Sequence, residues 1–136
     1  MQKSERWGEV DVGDLTKNFS RHEFACRCGC GYDDVDRTLV DRLQRARTSH
    51  GPITVTSGCR CRSHNTAEGG SPTSSHVLGL AVDVKVAGGE ERFEILTCLI
   101  EAGFRRIGVA SSFIHADIDP DKQEPSLFTY DRPHAP

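Results

Sequence analysis

The chain has 136 residues, 36% hydrophobic and 27% charged, with a formal net charge of −3 and a pI near 6.0. That is enough chain for one soluble domain with a modest core. It excludes a protein whose main partner is nucleic acid, since no basic stripe is present, and no run of about 18 apolar residues exists to cross a membrane.

Met1-Gln2-Lys3-Ser4-Glu5-Arg6-Trp7 is polar and lacks an apolar signal core, so synthesis in a cytoplasm without a signal peptide is expected. Residues 1–18 read as an irregular arm. Phe19 to Phe24 reads as a capped helical turn, with Ser20 as N-cap and Glu23 three residues later. Cys26 to Tyr32 holds three cysteines and two glycines, the composition of a compact loop. Asp34 to Ser49 is the clearest helix: Val35, Leu39, Leu43 and Ala46 recur at helical spacing, and Gly51-Pro52 stops it. Ile53 to Ser57 is short and β-branched, a strand. A helical turn is expected over 62–68 and a loop over 69–73. Leu80 to Val86 reads as a second strand, with apolar residues alternating around Asp83. Glu90 to Ala102 reads as the second long helix, with Phe93, Leu96 and Ile100 on one face and Gly103 at its end. Arg106 to Val109 and Phe113 to Ile118 suggest a hairpin, and Leu127 to Tyr130 an edge strand; residues 131–136 read as a tail. The order predicts an α+β domain over 19–130, a small, largely antiparallel sheet flanked by helices.

Five of the six cysteines fall in two clusters, Cys26, Cys28, Cys30 and Cys59, Cys61; Cys98 stands alone on the second long helix. Structural disulfides are rare in a chain made in a cytoplasm, and Cys-x-Cys is tighter than the usual zinc-knuckle spacing. Two arrangements remain. Either the clusters meet in a disulfide or second metal site that ties the N-terminal segment to the core, or they are reduced, small core residues.

The most informative stretch is Ser74 to Asp83, followed about thirty residues later by Phe113-Ile114-His115-Ala116-Asp117. His76, His115 and Asp83 supply two imidazoles and a carboxylate, the donors a catalytic zinc ion takes while keeping a fourth position for water. The competing reading has His76 capping a helix, Asp83 in a turn and His115 packed in a core. For a single histidine that reading is the usual one; the joint pattern is much rarer. His22, His50 and His134 lie in no motif and read as surface residues, and His64 as structural.

Ser57-Gly58-Cys59-Arg60, His64-Asn65, Gly69-Gly70, Ser75-His76-Val77-Leu78-Gly79-Leu80-Ala81-Val82-Asp83 and Ile114-His115-Ala116-Asp117 together resemble the zinc D-alanyl-D-alanine carboxypeptidases. These share a superfamily with lysostaphin-type peptidases and the hedgehog signalling domain. The resemblance runs from about Phe19 to Tyr130 and is strongest to small single-domain members of bacteriophages and bacteria. It implies a hedgehog/DD-peptidase-like fold, Zn2+ held by His76, Asp83 and His115, and Arg60 facing the substrate, where a guanidinium suits a peptide carboxylate or carbonyl. The alternative for Arg60 is a surface salt bridge. Ser75 either binds substrate or caps a turn.

Many members carry a general-base Glu or Asp three residues before the last zinc histidine; here that position is Ser112. Asp117 is the nearest carboxylate. Residues two apart on a strand share a face, so Asp117 either takes the base role, the reading slightly favoured, or orients His115. The implied function is a zinc metallopeptidase hydrolysing a peptide bond in the stem peptide of bacterial peptidoglycan, as a D-Ala-D-Ala carboxypeptidase or an endolysin-type endopeptidase. The alternative is a non-catalytic zinc-containing binding module of the same fold. A cysteine peptidase is a distant third, for lack of a Cys-His-Asn arrangement. The expected partner is the stem peptide, with no nucleic acid and no membrane insertion, the protein a monomer. Its expected place of action is the cell wall, after phage-mediated release or as a virion component.

Overall fold

The computed structural model describes residues 12–130. Residues 1–11 of the expected arm and the tail 131–136 lie outside the described residues. Three helices, α1 (Arg37–His50), α2 (Arg62–Ala67) and α3 (Gly89–Glu101), are joined by two 3-10 turns, Arg21–Phe24 and Ser75–Leu78. Five strands, β1 (Val55–Ser57), β2 (Ala81–Lys85), β3 (Arg106–Val109), β4 (Phe113–Asp117) and β5 (Ser126–Thr129), form one sheet in the order β1-β2-β4-β3-β5. All pairs are antiparallel except β3 with β5. This is the small, largely antiparallel α+β fold expected from the order of elements. No helix among the described residues is long and apolar enough to cross a membrane.

The sheet has two chemically distinct faces, because successive side chains on a strand point to opposite sides. Val82 and Val84 on β2, Ile114 and Ala116 on β4 and Ile107 on β3 are buried against the helices. Leu39, Val40, Leu43 and Ala46 of α1 and Ile95 and Leu99 of α3 complete that core. The opposite face carries Asp83, His115 and Asp117.

Helix α1 begins at Arg37, three residues later than expected from Asp34. Asp36 is extended and caps the helix by accepting the Thr38 N–H at 2.8 Å, while its own N–H donates to the Gly79 carbonyl at 2.9 Å. In α3 the expected stripe of Phe93, Leu96 and Ile100 is not the core face. Phe93 is 70% and Ile100 52% exposed, whereas Ile95 and Leu99 are fully covered. Both stripes have helical spacing, and contact with α1 and β4 selects the second. The edge strand is present, but it runs parallel to β3 and spans Ser126–Thr129.

The described part of the arm, residues 12–18, is irregular yet packed. Leu15 and Phe19 enter the core, and the Leu15 N–H donates to the Phe19 carbonyl at 3.0 Å. Phe24 is fully buried, and its carbonyl accepts the Cys59 N–H at 2.8 Å, so the N-terminal segment is laced to the chain just after β1. Of the three histidines read as surface residues, His22 is exposed and His134 lies outside the described residues. His50 departs from the expectation: it ends α1 with its side chain only 13% exposed and its Nε2 4.0 Å from Glu94.

The two stripes of α3 make opposite predictions. Leu99→Ala should destabilise the protein by about 2–5 kcal/mol through lost burial and a cavity, whereas Phe93→Ala should stay within about 0.5 kcal/mol. Urea denaturation of the two variants measures both.

Candidate metal centre

Three elements deliver three side chains to one point. His76 lies in the 3-10 turn, where the Ser74 hydroxyl, not Ser75, accepts the His76 N–H at 3.3 Å and so supplies the cap. Gly79 ends the turn at φ 73, in the left-handed region, and a Cβ there would lie 2.4 Å from the Asp34 carbonyl oxygen. Only glycine closes this turn at that distance. Asp83 is central in β2, and His115 is its directly opposed cross-strand partner in β4.

His76 Nε2 lies 3.3 Å and His115 Nδ1 3.0 Å from the same oxygen, Asp83 Oδ1. One donor atom from each of the three residues falls within 4.8 Å of the others. Each imidazole is held from behind. His76 Nδ1 is 2.7 Å from the Gly58 carbonyl, and His115 Nε2 is 2.7 Å from Asp117 Oδ2. Both outer partners are acceptors, so with an ion between the rings the outer nitrogens would carry the protons and the inner nitrogens, which face Asp83 Oδ1 here, would present lone pairs to it. Outer acceptors that fix the tautomer and aim the ring are the usual surroundings of metal-ligating histidines. The residues present therefore fit a divalent ion with two nitrogen donors and one oxygen donor.

Asp117 is 1% exposed and both its oxygens are engaged. Oδ2 accepts from His115 Nε2 at 2.7 Å and from Arg106 Nε at 3.2 Å, and Oδ1 accepts the Asp119 N–H at 3.2 Å. Burial works against its ionisation, but His115, the Asp119 N–H and Arg106 outweigh it and hold the carboxyl below the usual range. Burial likewise opposes charge on Asp83, and contacts with His115 and His76 overcome it, again lowering the pKa. Burial pushes the His115 imidazolium down, and the carboxylates of Asp117 and Asp83 more than reverse that, so its pKa is raised.

A cavity of about 350 Å³ opens over the centre. Arg60 lines it: Nη1 donates to Asn65 Oδ1 at 2.9 Å and Nη2 to Ser57 Oγ at 3.4 Å, with Asp83 Oδ2 at 4.0 Å. With a side chain 14% exposed, Arg60 is no surface ion pair. Gly70 leaves room for it, since a Cβ there would lie 2.9 Å from Arg60 Nη1 and 2.1 Å from Asn65 Oδ1. Ser75 also borders the cavity, and its hydroxyl donates to Asp119 Oδ2 at 2.7 Å. Ser112 lies in the exposed turn between β3 and β4, where its carbonyl accepts the Val86 N–H. His64 lies on α2 and is not among the three converging donors.

The sequence reading missed Arg106, Phe128 and Tyr130. Arg106 sits over the Phe128 ring at 4.9 Å, and Phe128 lies 5.9 Å from the His115 ring. Gly108, opposite His115 in β3, makes this possible, because a Cβ there would lie 2.3 Å from Phe128. Burial and the nearby Asp83 and Asp117 push the Tyr130 phenol up, so it stays neutral. Alternation in Arg106-Ile107-Gly108-Val109 places Arg106 on the site face; β5 joins that face only through a long-range parallel pairing, which carries no local sequence signal.

A family model for peptidase M15 matches residues 17–117, which include all three donors. The chain belongs to the M15 peptidase family. No curated protein matches it. As an M15 member it is a peptidase of a metal-dependent family, and His76, Asp83 and His115 are a donor set that could hold a metal ion.

In the metal-free protein the shifts define a pH window. The raised His115 contributes stability that is complete below its unfolded pKa of about 6.5 and fades as pH rises through the folded value. The lowered Asp83 and Asp117 contribute stability that is complete above about pH 4 and is lost as pH falls through their folded values. The metal-free protein should therefore be most stable between about pH 4 and 6.5, and a series of thermal melts in chelator across pH would show a maximum there.

Proposed function

We propose that this chain is a zinc metallopeptidase that cleaves, in the stem peptide of bacterial peptidoglycan, a peptide bond next to a free carboxylate. The observation that carries the reading is the donor set, two inward imidazole nitrogens and a carboxylate, opening into a cavity where Arg60 waits beside Asp83. Zinc bound there would polarise the amide carbonyl and acidify a water molecule. Everything else falls to the chain's own residues.

Arg60 is preset by Asn65 and Ser57, so its fork is held ready for a carboxylate or a developing oxyanion. Both D-Ala-D-Ala and L-Ala-D-Glu bonds of a stem peptide place a free carboxylate beside the scissile amide, which makes Arg60 suitable for either. Tyr130, kept protonated, offers a neutral donor at the rim. Phe113 and Phe128 line the same cavity with apolar surface and limit water around the reacting amide.

On this reading Asp117 is a positioning residue rather than the general base. Its engaged oxygens and near-complete burial support that role, because a base must be free to take a proton from water in the cavity. A second reading, the non-catalytic zinc-containing module, is favoured by one observation: the cavity-lining carboxylates are Asp83 and Asp117, both already committed, and Ser112 stands where a base is common in the family.

Zinc-loaded protein incubated with synthetic stem peptides should release D-Ala from a D-Ala-D-Ala terminus or cut the L-Ala-D-Glu bond, and chelator should stop it. Arg60→Ala should raise KM about 10–100-fold, the loss of a charged hydrogen bond to the substrate. Asp117→Asn should weaken zinc affinity about 10–100-fold in a competition titration. Zinc affinity retained alongside a collapsed kcat would instead make Asp117 the base. Stem-peptide binding without any cleavage would favour the module.

A further inference from the structure

We propose that Cys26, Cys28, Cys30 and Cys61 form a second, structural metal centre, a four-thiolate zinc site that fastens the N-terminal segment to the start of α2. This goes beyond the peptidase reading and does not depend on it. The four sulfurs lie within 4.8 Å of one another, with Cys26 Sγ 3.5 Å from Cys28 Sγ and Cys28 Sγ 3.7 Å from Cys61 Sγ. A tetrahedral ion with Zn–S bonds of about 2.3 Å separates its sulfurs by about 3.8 Å, while a disulfide requires about 2.05 Å. All four cysteines are unbonded to one another, and their spacing fits the tetrahedron.

Three further features point to a built site. The loop turns twice at glycines in the left-handed region, Gly29 at φ 83 and Gly31 at φ 95, which aims three cysteines of a Cys-x-Cys-x-Cys run inward despite their close spacing. Backbone N–H groups face the sulfurs: Cys61 to Cys26 Sγ at 3.4 Å, Tyr32 to Cys30 Sγ at 3.5 Å and His64 to Cys61 Sγ at 3.4 Å. Such donors stabilise ligating thiolates. The selection is also specific. Cys59, two residues from Cys61, is buried in the apolar core, and Cys98 is on α3, so neither belongs to the group. Cys28 and Cys30 are exposed, which rules out the reading of the whole set as small core residues.

Soft thiolate donors in a tetrahedron select zinc over magnesium or calcium. The centre would replace regular structure where there is none, since no helix or strand lies between Phe24 and Arg37. It would also act on the active face. Cys61 is the N-cap of α2 and directly follows Arg60, so an ion at Cys61 holds the backbone from which Arg60 enters the cavity.

The wild-type protein, purified in zinc, should contain a zinc ion that is retained in His76→Ala and lost in Cys30→Ser. After cobalt exchange it should show sulfur-to-cobalt charge-transfer absorption, which His76→Ala should keep and Cys30→Ser should lose. Independently of any variant, iodoacetamide should leave Cys28 and Cys30 unmodified in the native protein despite their exposure, and should modify both once a strong chelator is present. Rapid alkylation of Cys28 and Cys30 in zinc-supplemented protein would overturn the proposal. So would a mass showing disulfides among the four cysteines in protein kept under reducing conditions, or a cobalt spectrum without charge-transfer bands.

Discussion

The pairing of β2 with β4 is the constraint on which the rest of the structure depends. Its register sets Asp83 opposite His115 on one face and Val82 and Val84 beside Ile114 and Ala116 on the other. A slip of β2 by one residue would turn Asp83 into the core and Val82 and Val84 into the cavity. The apolar face therefore enforces the register that the polar face needs. Burial on the far side of the sheet thus decides which side chains face the candidate centre.

That arrangement places two largely buried carboxylates, Asp83 and Asp117, around a single imidazole. Buried charge of one sign is costly unless it is paired and hydrogen-bonded. The chain compensates with cations around the centre, Arg106 on Asp117 and Arg60 near Asp83, and a divalent ion would add the largest local charge of all. The same two arginines then border the cavity in which an anionic peptide end would sit. On the proposed reading, charge balance at the centre and substrate recognition would draw on the same side chains.

The N-terminal segment is tied to this sheet at three levels. Leu15, Phe19 and Phe24 bury apolar surface, the Cys59 N–H bonds to the Phe24 carbonyl, and Cys61 gathers with the cysteines of the preceding loop. Arg60 lies between the last two ties. Its backbone N–H also donates to the His76 carbonyl at 3.0 Å, so the cavity-lining arginine and a donor of the candidate metal centre are joined by one hydrogen bond. Movement of the N-terminal segment would be felt at both.

Local sequence determined a good deal of this protein. Helical spacing in α1, the β-branched run before Ser57 and the alternation around Asp83 and His115 marked their elements to within a few residues, because each is a periodic pattern that burial imposes on neighbours in the chain. Ligand type and spacing singled out His76, Asp83 and His115, which the structure brings together. What only tertiary structure decided was direction. The rotation of α3 that buries Ile95 and Leu99 instead of Phe93 and Ile100 is chosen by contact with α1 and β4, since both stripes satisfy the same period. The engagement of Asp117 with Arg106, the entry of Phe128 and Tyr130 beside the centre, and the gathering of Cys61 but not Cys59 with the N-terminal cysteines all depend on pairings between distant segments. A linear sequence carries side-chain chemistry and local period; which of those chemistries meet is set by which faces the sheet and the core leave open.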